Sequence, residues 1–339
     1  MNFIKEGKWA KMNRINELIK KYCPDGVPFQ KIKDVYTRVK GTPITAGKMK
    51  EIACDNGEIR IFAGGKTIID AHEKDIPKAN ITRVPAVLVQ SRGVIDVVYY
   101  DKPFTFKNEM WAYTSKDIVS VKFLYYVLKN SIQTFRDAAS GMGSLPQISL
   151  KVTEEFMLPV PPLEVQREIV RVLDSFTLLT AELTAELTAR KKQYEFYRDK
   201  LLTYSNRIQQ FPLGEVCDLQ AGKTISADLI SDEKTIESPI PCYGANGLRG
   251  YVSSANQKGS KSIIGRQGAL CGSVCYARGL YYATEHAIVV TDKGYFNSRY
   301  LFHVLTHANL NQYKTAGAQP GLSVKRLNDV KIPVPNMEI

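Results

Sequence analysis

The most regular hydrophobic pattern in the chain runs from Pro161 to Tyr204, where apolar or long side chains recur at steps of three and four residues. This spacing predicts one stripe along an α-helix, and Pro162 suits its first turn. The stripe comprises Ile169, Leu173, Phe176, Leu179, Leu183, Leu187, Arg190, Tyr194, Tyr197 and Leu201. At 1.5 Å per residue, a helix of about 40 residues would span roughly 60 Å, and its stripe would need a partner along its length.

The segments before and after this helix share a second pattern, in which short motifs recur in the same order. The paired motifs are 27–35 with 211–219, Gly41–Ile44 with Gly222–Ile225, 86–95 with 262–270, Glu109 with Glu285, 123–128 with 300–305, and 156–161 with 330–335. In the third pair Gly93 falls opposite Gly268. Any one pair could arise by chance, but their common order predicts a long-period duplication.

Each repeat combines an entry strand, a loop rich in Gly and Pro, β-rich segments with hairpin turns, one amphipathic helix and an exit strand. The predicted fold class is therefore α+β, with two repeated domains joined by a long coiled-coil-type helix. The predicted segments are an N-terminal extension at 1–11, domains at 12–160 and 206–339, and the helix at 161–205. The second exit strand runs into Ile339, so we expect the chain to stop where a second long helix would start.

Composition narrows the class of protein. The chain has no run of 18 apolar residues that could span a membrane, and its first residues lack the apolar core of a signal peptide. Its six cysteines are scattered without the spacing of a disulfide framework. These features predict a cytoplasmic protein with reduced thiols.

The net charge of +12 is unevenly distributed along the chain. Residues 1–160 carry 25 Lys and Arg against 17 Asp and Glu, and residues 206–339 carry 14 against 10. The helical segment between them is neutral, with 7 of each. Basic domains favour a polyanionic partner, of which nucleic acid is the simplest.

The junction LPVPPLEVQREIV, the tandem tetrapeptide Thr180–Leu183 and Thr184–Leu187, and the segment RKKQYEFYRDKLL carry a family resemblance. Together with the two diverged repeats, they resemble a specificity subunit of a type I DNA restriction–modification system. The domains themselves resemble the target-recognition domains of that family only through sparse marks such as Gly41–Pro43 and Gly265–Gly268.

The resemblance implies a protein that binds double-stranded DNA without catalysis of its own. Each domain would recognise one half of a bipartite target, and the helix would set the spacing and dock modification (methyltransferase) subunits, which restriction subunits would join. No cofactor is implied, because S-adenosylmethionine would belong to the modification subunits. A second copy or a separately encoded fragment could pair with the helix. The alternative is a coiled-coil assembly protein whose basic domains bind DNA loosely.

Candidate DNA contacts are Lys, Arg, Asn, Gln and other polar side chains in glycine-rich loops, because these groups hold phosphates and base edges. In the first repeat they are Lys40, Thr42, Lys66, Gln90, Arg92, Lys107 and Asn108. In the second repeat they are Lys223, Tyr243, Asn246, Arg249, Lys261, Arg266 and Gln267. A solvated turn is the ordinary alternative for any one of them.

Metal and catalytic sites are not predicted. His303 and His307 have the spacing of a zinc pair on a helix but lack a third ligand, and Cys271 and Cys275 lack a second pair. The loops at Gly65–Thr67 and Gly222–Thr224 lack the first glycine of a phosphate-binding loop. No methyltransferase or nuclease motif is evident, so we expect no enzymatic activity.

Overall fold

The computed structural model describes residues 14–64, 67–140, 145–203, 208–316 and 320–334. The chain divides into two compact units, Met1–Thr184 (unit 1) and Ala185–Ile339 (unit 2). The division lies inside one long helix. Each unit contains both helices and sheets, which confirms the predicted α+β class.

Unit 1 follows the predicted order of strands and helices. Its elements are α1 (14–22), β1 (Phe29–Lys31), α2 (Ile32–Val35), β2 (Thr37–Val39), α3 (Ala46–Ile52), β3 (Ile59–Phe62), β4 (Ile68–Ala71), a short 3-10 turn (Glu73–Asp75), β5 (Ala86–Gln90), β6 (Asp96–Tyr100), β7 (Phe104–Phe106), β8 (Trp111–Thr114), α4 (Ile118–Asn130), α5 (Ile132–Asp137), α6 (Leu150–Glu154) and β9 (Met157–Pro159).

Three sheets organise unit 1. An antiparallel sheet has the strand order β2-β8-β5-β6, and a smaller sheet has the order β4-β3-β7, in which β3 and β7 run parallel. The entry strand β1 pairs antiparallel with the exit strand β9. The first and last strands therefore close the unit on itself.

Strand β5 lies at the centre of the unit 1 core. All five of its residues are buried, and successive side chains of a strand point to opposite faces. Val87 and Val89 pack in a cluster with Leu124 of α4, whereas Leu88 packs in another cluster with Phe104 of β7. Because both faces are covered, residues 86–89 of β5 are all apolar and do not alternate with polar residues.

Unit 2 repeats this order. Its elements are β10 (Gln210–Pro212), α8 (Leu213–Val216), β11 (Cys217–Ala221), a 3-10 turn (Ala227–Leu229), β12 (Ile240–Gly244), β13 (Gly247–Val252), β14 (Gln257–Lys258), β15 (Lys261–Gly265), β16 (Val274–Ala277), β17 (Leu280–Ala283), β18 (Ala287–Asp292), α9 (Ser298–His307), a 3-10 turn (Leu310–Tyr313), α10 (Val324–Asn328) and β19 (Lys331–Pro333).

The sheets of unit 2 confirm the duplication. The order β11-β18-β15-β16 reproduces β2-β8-β5-β6, and β13-β12-β17 reproduces β4-β3-β7, with β14 added at the edge. The pair β10-β19 closes unit 2 as β1-β9 closes unit 1. Strand β15 is again covered on both faces, since Ile264 packs in a cluster with Leu301 of α9 and Ile263 in one with Tyr281.

The predicted long helix is confirmed as α7, which runs without interruption over the 40 residues Leu163–Leu202. It follows β9 after only Val160, Pro161 and Pro162, so the exit strand of unit 1 leads directly into it. The predicted segment was slightly longer at both ends, and Tyr204 lies outside the described residues.

The two ends of α7 contact equivalent helices. Near its start, Asp174 accepts hydrogen bonds from Lys122 at 2.6 Å and Tyr126 at 2.7 Å, both on α4. Near its end, Tyr194 lies 3.1 Å from His303 Nδ1, and Asp199 lies 3.0 Å from His307 Nδ1, both on α9. The two histidines therefore pack the end of α7 against α9 within unit 2.

The hydrophobic stripe of α7 is buried only at its start. Ile169 and Leu173 are half-buried, whereas the stripe residues from Phe176 to Leu201 are exposed, from 39% for Phe176 to 73% for Leu201. The residues that bury α7 against unit 1 are instead Val165, Gln166, Glu168 and Val170. A largely exposed apolar strip therefore follows the rest of the helix.

The buried hydroxyl of Thr153 offers a test of the unit 1 core. It accepts hydrogen bonds from Trp111 Nε1 and Tyr113 OH, each at 2.8 Å, and donates to the Leu150 carbonyl. Thr153→Val leaves these groups unpaired and should lower the free energy of unfolding by about 1–3 kcal/mol in urea denaturation. Thr180→Val, the same change at an exposed helical site, should stay within about 0.5 kcal/mol; equal effects would contradict this role.

Candidate nucleic-acid interface

Four turns of unit 2 meet at the ends of its central strands, and we call them turn cluster 2. The cluster consists of Gly222–Lys223 after β11, Ala245–Asn246 between β12 and β13, Arg266–Gly268 after β15, and Thr284–His286 before β18. Main-chain hydrogen bonds join these turns: Lys223 N donates to Ala283 O at 3.0 Å, and Arg266 N donates to His286 O at 3.0 Å. Ser273 Oγ, beside the turn after β15, lies 3.4 Å from Ala245 O.

The equivalent turns of unit 1 form turn cluster 1. They are Lys40–Thr42 after β2, Gly64 after β3, Ser91–Gly93 after β5, and Lys107–Glu109 before β8. Thr42 N donates to Phe106 O at 2.7 Å, and Ser91 Oγ donates to the Glu109 carbonyl. The same main-chain frame thus recurs in both units.

Two pairs of glycines shape these frames. A Cβ on Gly41 would lie 2.3 Å from Phe106 O, and one on Gly222 would lie 2.2 Å from Ala283 O, so neither position has room for a side chain. Gly93 and Gly268 adopt φ values of 77° and 82°, and their N–H groups donate to Pro146 O and Pro320 O. Glycine adopts this left-handed backbone without strain. The sequence pairing of Gly93 with Gly268 is confirmed.

Most predicted DNA contacts lie in or beside these clusters. The structure places seven of them at exposed positions: Lys40, Arg92, Asn108, Lys223, Asn246, Arg249 and Gln267. Lys107, Tyr243 and Arg266 are half-buried. Burial raises the pKa of the Tyr243 phenol, which therefore stays protonated and can donate a hydrogen bond.

Turn cluster 1 borders an open groove of about 540 Å³. Lys40 and Asn108 line it together with Arg38, Asn80 and Trp111. Asn80 Nδ2 donates to Gly41 O at 2.9 Å, which fixes the groove wall to the turn after β2. The groove combines cationic, amide and aromatic groups, which suit a nucleic-acid backbone and base edges.

Three predicted contacts are not available at these surfaces. Thr42 is fully buried, its hydroxyl lies 2.7 Å from Thr105 Oγ1, and it accepts a hydrogen bond from Asn80 N, so it stabilises the fold. Gln90 is 4% exposed because it still belongs to β5. Lys261 begins β15, and therefore lies about 17 Å along the strand from the turn that Arg266 begins. Lys66 lies outside the described residues.

The structure also corrects one sequence pairing. Ser91 corresponds to Arg266, because Ile148 N donates to Ser91 O as Leu322 N donates to Arg266 O. With this pairing, the hydrogen bond from Ser91 Oγ to the Glu109 carbonyl joins the same two positions as the main-chain bond from Arg266 N to His286 O. Glu109 is thus equivalent to His286 rather than to Glu285.

Sequence reasoning missed polar residues that belong to the same surfaces, among them Arg38, Asn80, Glu285 and His286. The sequence signal for Arg38 was its place two residues before Lys40, and the signal for Glu285 and His286 was their place just before an apolar strand.

Among the described residues, no group of three or more His, Cys, Asp or Glu side chains could hold a metal ion. No helix in the described ranges is long and apolar enough to cross a membrane.

Comparison with known proteins identifies the family. The family model described as type I restriction modification DNA specificity domain matches residues 24–190 and 206–339. These two matches follow the duplication and cover most of the sequence. The chain belongs to the family of type I restriction–modification DNA specificity domains.

Individual relatives agree with this assignment. The chain is 43% identical over 236 residues to the specificity subunit of the type I restriction enzyme EcoprrI from Escherichia coli, a match that covers 66% of this chain and 59% of that protein. It is 28% identical over 255 residues to the EcoR124I/EcoR124II specificity subunit from the same species, covering 64% and 60%. The chain thus spans about 60% of the length of these relatives.

A solved structure shares the fold. The S subunit of a type I restriction–modification system from M. genitalium superposes with a TM-score of 0.68, covering 91% of this chain and 84% of that one. The sequences are 19% identical, so this similarity concerns the architecture alone.

A pair of lysines tests the position of the interface. Lys223→Ala removes an exposed cation from turn cluster 2 and should weaken binding to all DNA sequences alike, lowering the slope of log affinity against log salt by about 1. Lys261→Ala, at the far end of β15, should change neither quantity. Titration of fluorescent duplexes at several salt concentrations measures both, and equal losses in the two variants would contradict this placement.

Proposed function

We propose that this chain recognises a bipartite DNA target for a type I restriction–modification complex. Each unit contacts one half of the target through its own turn cluster. The observation that carries the proposal is the recurrence of one main-chain frame in two units whose side chains differ. Arg92 stands where unit 2 has Gln267, and Ser91 stands where unit 2 has Arg266.

The chemistry of the clusters supports DNA as the ligand. Lys40 and Lys223 occupy the turns after β2 and β11, where exposed ammonium groups can hold phosphates. Asn108, Asn246 and Gln267 carry exposed amides, which suit base edges. Each unit thus has an exposed cation beside amide donors and acceptors, and the positions of these groups differ between the units, as two different half-sites require.

The long helix has two proposed roles. It sets the distance between half-sites, and its exposed apolar strip is an assembly surface. The family supports modification subunits as the partners that dock there, with restriction subunits joining the assembled core. A second copy of this chain or a separately encoded fragment also fits an unpaired apolar strip. The proposed segments remain 12–160, 161–205 and 206–339, with 1–11 as an extension.

The proposal assigns no catalysis and no cofactor to this chain. Methyl transfer and cleavage would belong to the partner subunits, and the complex would act on DNA in the cytoplasm. An assembly protein with loosely DNA-binding domains is the rival function, and the exposed strip on α7 fits it as well. Specific recognition of two separated half-sites distinguishes the two, because loose binding depends on salt and not on sequence.

Methylation mapping tests the function directly. Co-expression of the chain with its neighbouring modification subunit in a host without such a system should produce one methylated motif in two specified parts, separated by a spacer of fixed length. Sequencing that detects methylated bases across the genome gives the motif. Omission of this chain is the control and should abolish methylation. A continuous motif, or scattered methylation, would contradict the proposal.

A deletion tests the spacing role. Removing Thr184–Leu187 shortens α7 by about 6 Å and should shorten the spacer by about one to two base pairs, with both half-sites unchanged. Glu182→Gln with Glu186→Gln alters the same tetrapeptides at constant length and should leave the spacer unchanged. The same methylation mapping gives both results, and altered half-sites in the deletion variant would refute the spacing role.

A further inference from the structure

Unit 2 contains an unusual group of polar atoms inside turn cluster 2. Arg266 Nε, Glu285 Oε2 and His286 Nδ1 are all buried and have no hydrogen-bond partner among the described residues. Elsewhere in those residues only isolated hydroxyls, on Tyr99, Ser262 and Tyr281, share this property. Buried polar groups are normally paired, because an unpaired one destabilises the fold. Three adjacent exceptions call for a functional explanation.

The three side chains are held in place by their other atoms. Glu285 Oε1 lies 3.1 Å from His286 Nε2, and Arg266 Nη1 lies 3.4 Å from the Glu285 carbonyl. Glu285 and His286 keep 32% and 35% of their side-chain surface exposed, so the group borders the surface. One oxygen of the carboxylate is thus engaged while the other has no partner.

The same positions in unit 1 are arranged differently. There Ser91, Asn108 and Glu109 replace Arg266, Glu285 and His286, and Lys107 replaces Thr284. The Glu109 carboxylate lies 3.0 Å from the Lys107 ammonium, and Ser91 Oγ donates to the Glu109 carbonyl. The fold therefore does not require an unpaired carboxylate at this turn. The arrangement in unit 2 is specific to that unit.

We propose that Glu285 is a specificity-determining residue, which accepts a hydrogen bond from the exocyclic amino group of an adenine or cytosine in the half-site that unit 2 contacts. This inference rests on the proposed function. An ionised carboxylate only accepts hydrogen bonds, so it pairs with the amino groups of adenine and cytosine in the major groove. Guanine and thymine present acceptors at the corresponding edge, which a carboxylate repels.

The neighbouring residues are positioning residues for this carboxylate. His286 engages Oε1. Oε2 is buried in the protein alone, so the partly exposed Glu285 side chain rotates outward to bring this oxygen to the base, a rotamer change that is common at interfaces. Arg266 supplies positive charge beside it, which offsets the repulsion between the carboxylate and DNA phosphates. After this rotation, the base amino group would give Glu285 Oε2 the hydrogen-bond partner that it lacks in the protein alone.

The first experiment compares motifs. The complex of this chain with its modification subunit is incubated with a pool of random duplexes, and bound DNA is sequenced. Wild type should require adenine or cytosine at one position of the unit 2 half-site. Glu285→Gln adds a donor to the side chain and should relax that position alone, with a discrimination about tenfold lower. Glu215→Gln, the same change on α8 at the far end of β11, should leave the motif intact.

The second experiment uses the wild-type complex and therefore does not depend on the folding of a variant. Each adenine and cytosine of the unit 2 half-site is replaced in turn by the same base without its exocyclic amino group. At one position the wild-type affinity should fall about tenfold, whereas Glu285→Gln should lose little further at that position.

The outcomes separate this inference from the proposed function. A wild-type complex with no two-part motif would refute the proposed function itself. A two-part motif that Glu285→Gln leaves unchanged would overturn only the role of Glu285. Tolerance of every amino-group removal in the wild-type complex would overturn it equally, even if the Glu285→Gln variant does not fold.

Discussion

The physical constraint on which each unit depends is a central strand buried on both faces. Strand β5 packs α4 on one side and the β3-β7 layer on the other, and β15 does the same in unit 2. A strand in this position can display side chains to a ligand only where it ends. Both turn clusters form at that end, whereas the closing pairs β1-β9 and β10-β19 adjoin the opposite ends of β2 and β11. The turn cluster and the closing strand pair of each unit are thereby separated.

This arrangement lets the two units share a frame and differ in chemistry. The turns are held by main-chain hydrogen bonds such as Thr42 N to Phe106 O and Lys223 N to Ala283 O. Because backbone groups make these bonds, the exposed side chains can change with little effect on the frame. Arg92 and Gln267 can therefore occupy one position without any change in the surrounding strands.

Sequence patterns predicted the architecture better than the surface. The period of α7, the order of the repeats and the pairing of Gly93 with Gly268 follow from local rules, and the structure confirms them. The burial of Gln90 was missed because alternation alone does not define where β5 stops. The burial of Thr42 was missed because it depends on contact with Thr105, which is distant in the sequence. The unpaired atoms around Glu285 depend on neighbours distant in the sequence, so no local pattern could predict them.

The exposed middle of α7 allows the length of this helix to change during evolution. Between Thr177 and Tyr197 every side chain is exposed, and no member of a buried cluster comes from this stretch. The tandem units Thr180–Leu183 and Thr184–Leu187 lie within it, so a copy can be gained or lost without changing a residue of either core. Each such step adds or removes slightly more than one helical turn and leaves both cores intact. The length of α7 is thereby free to vary in discrete steps while both turn clusters stay unchanged.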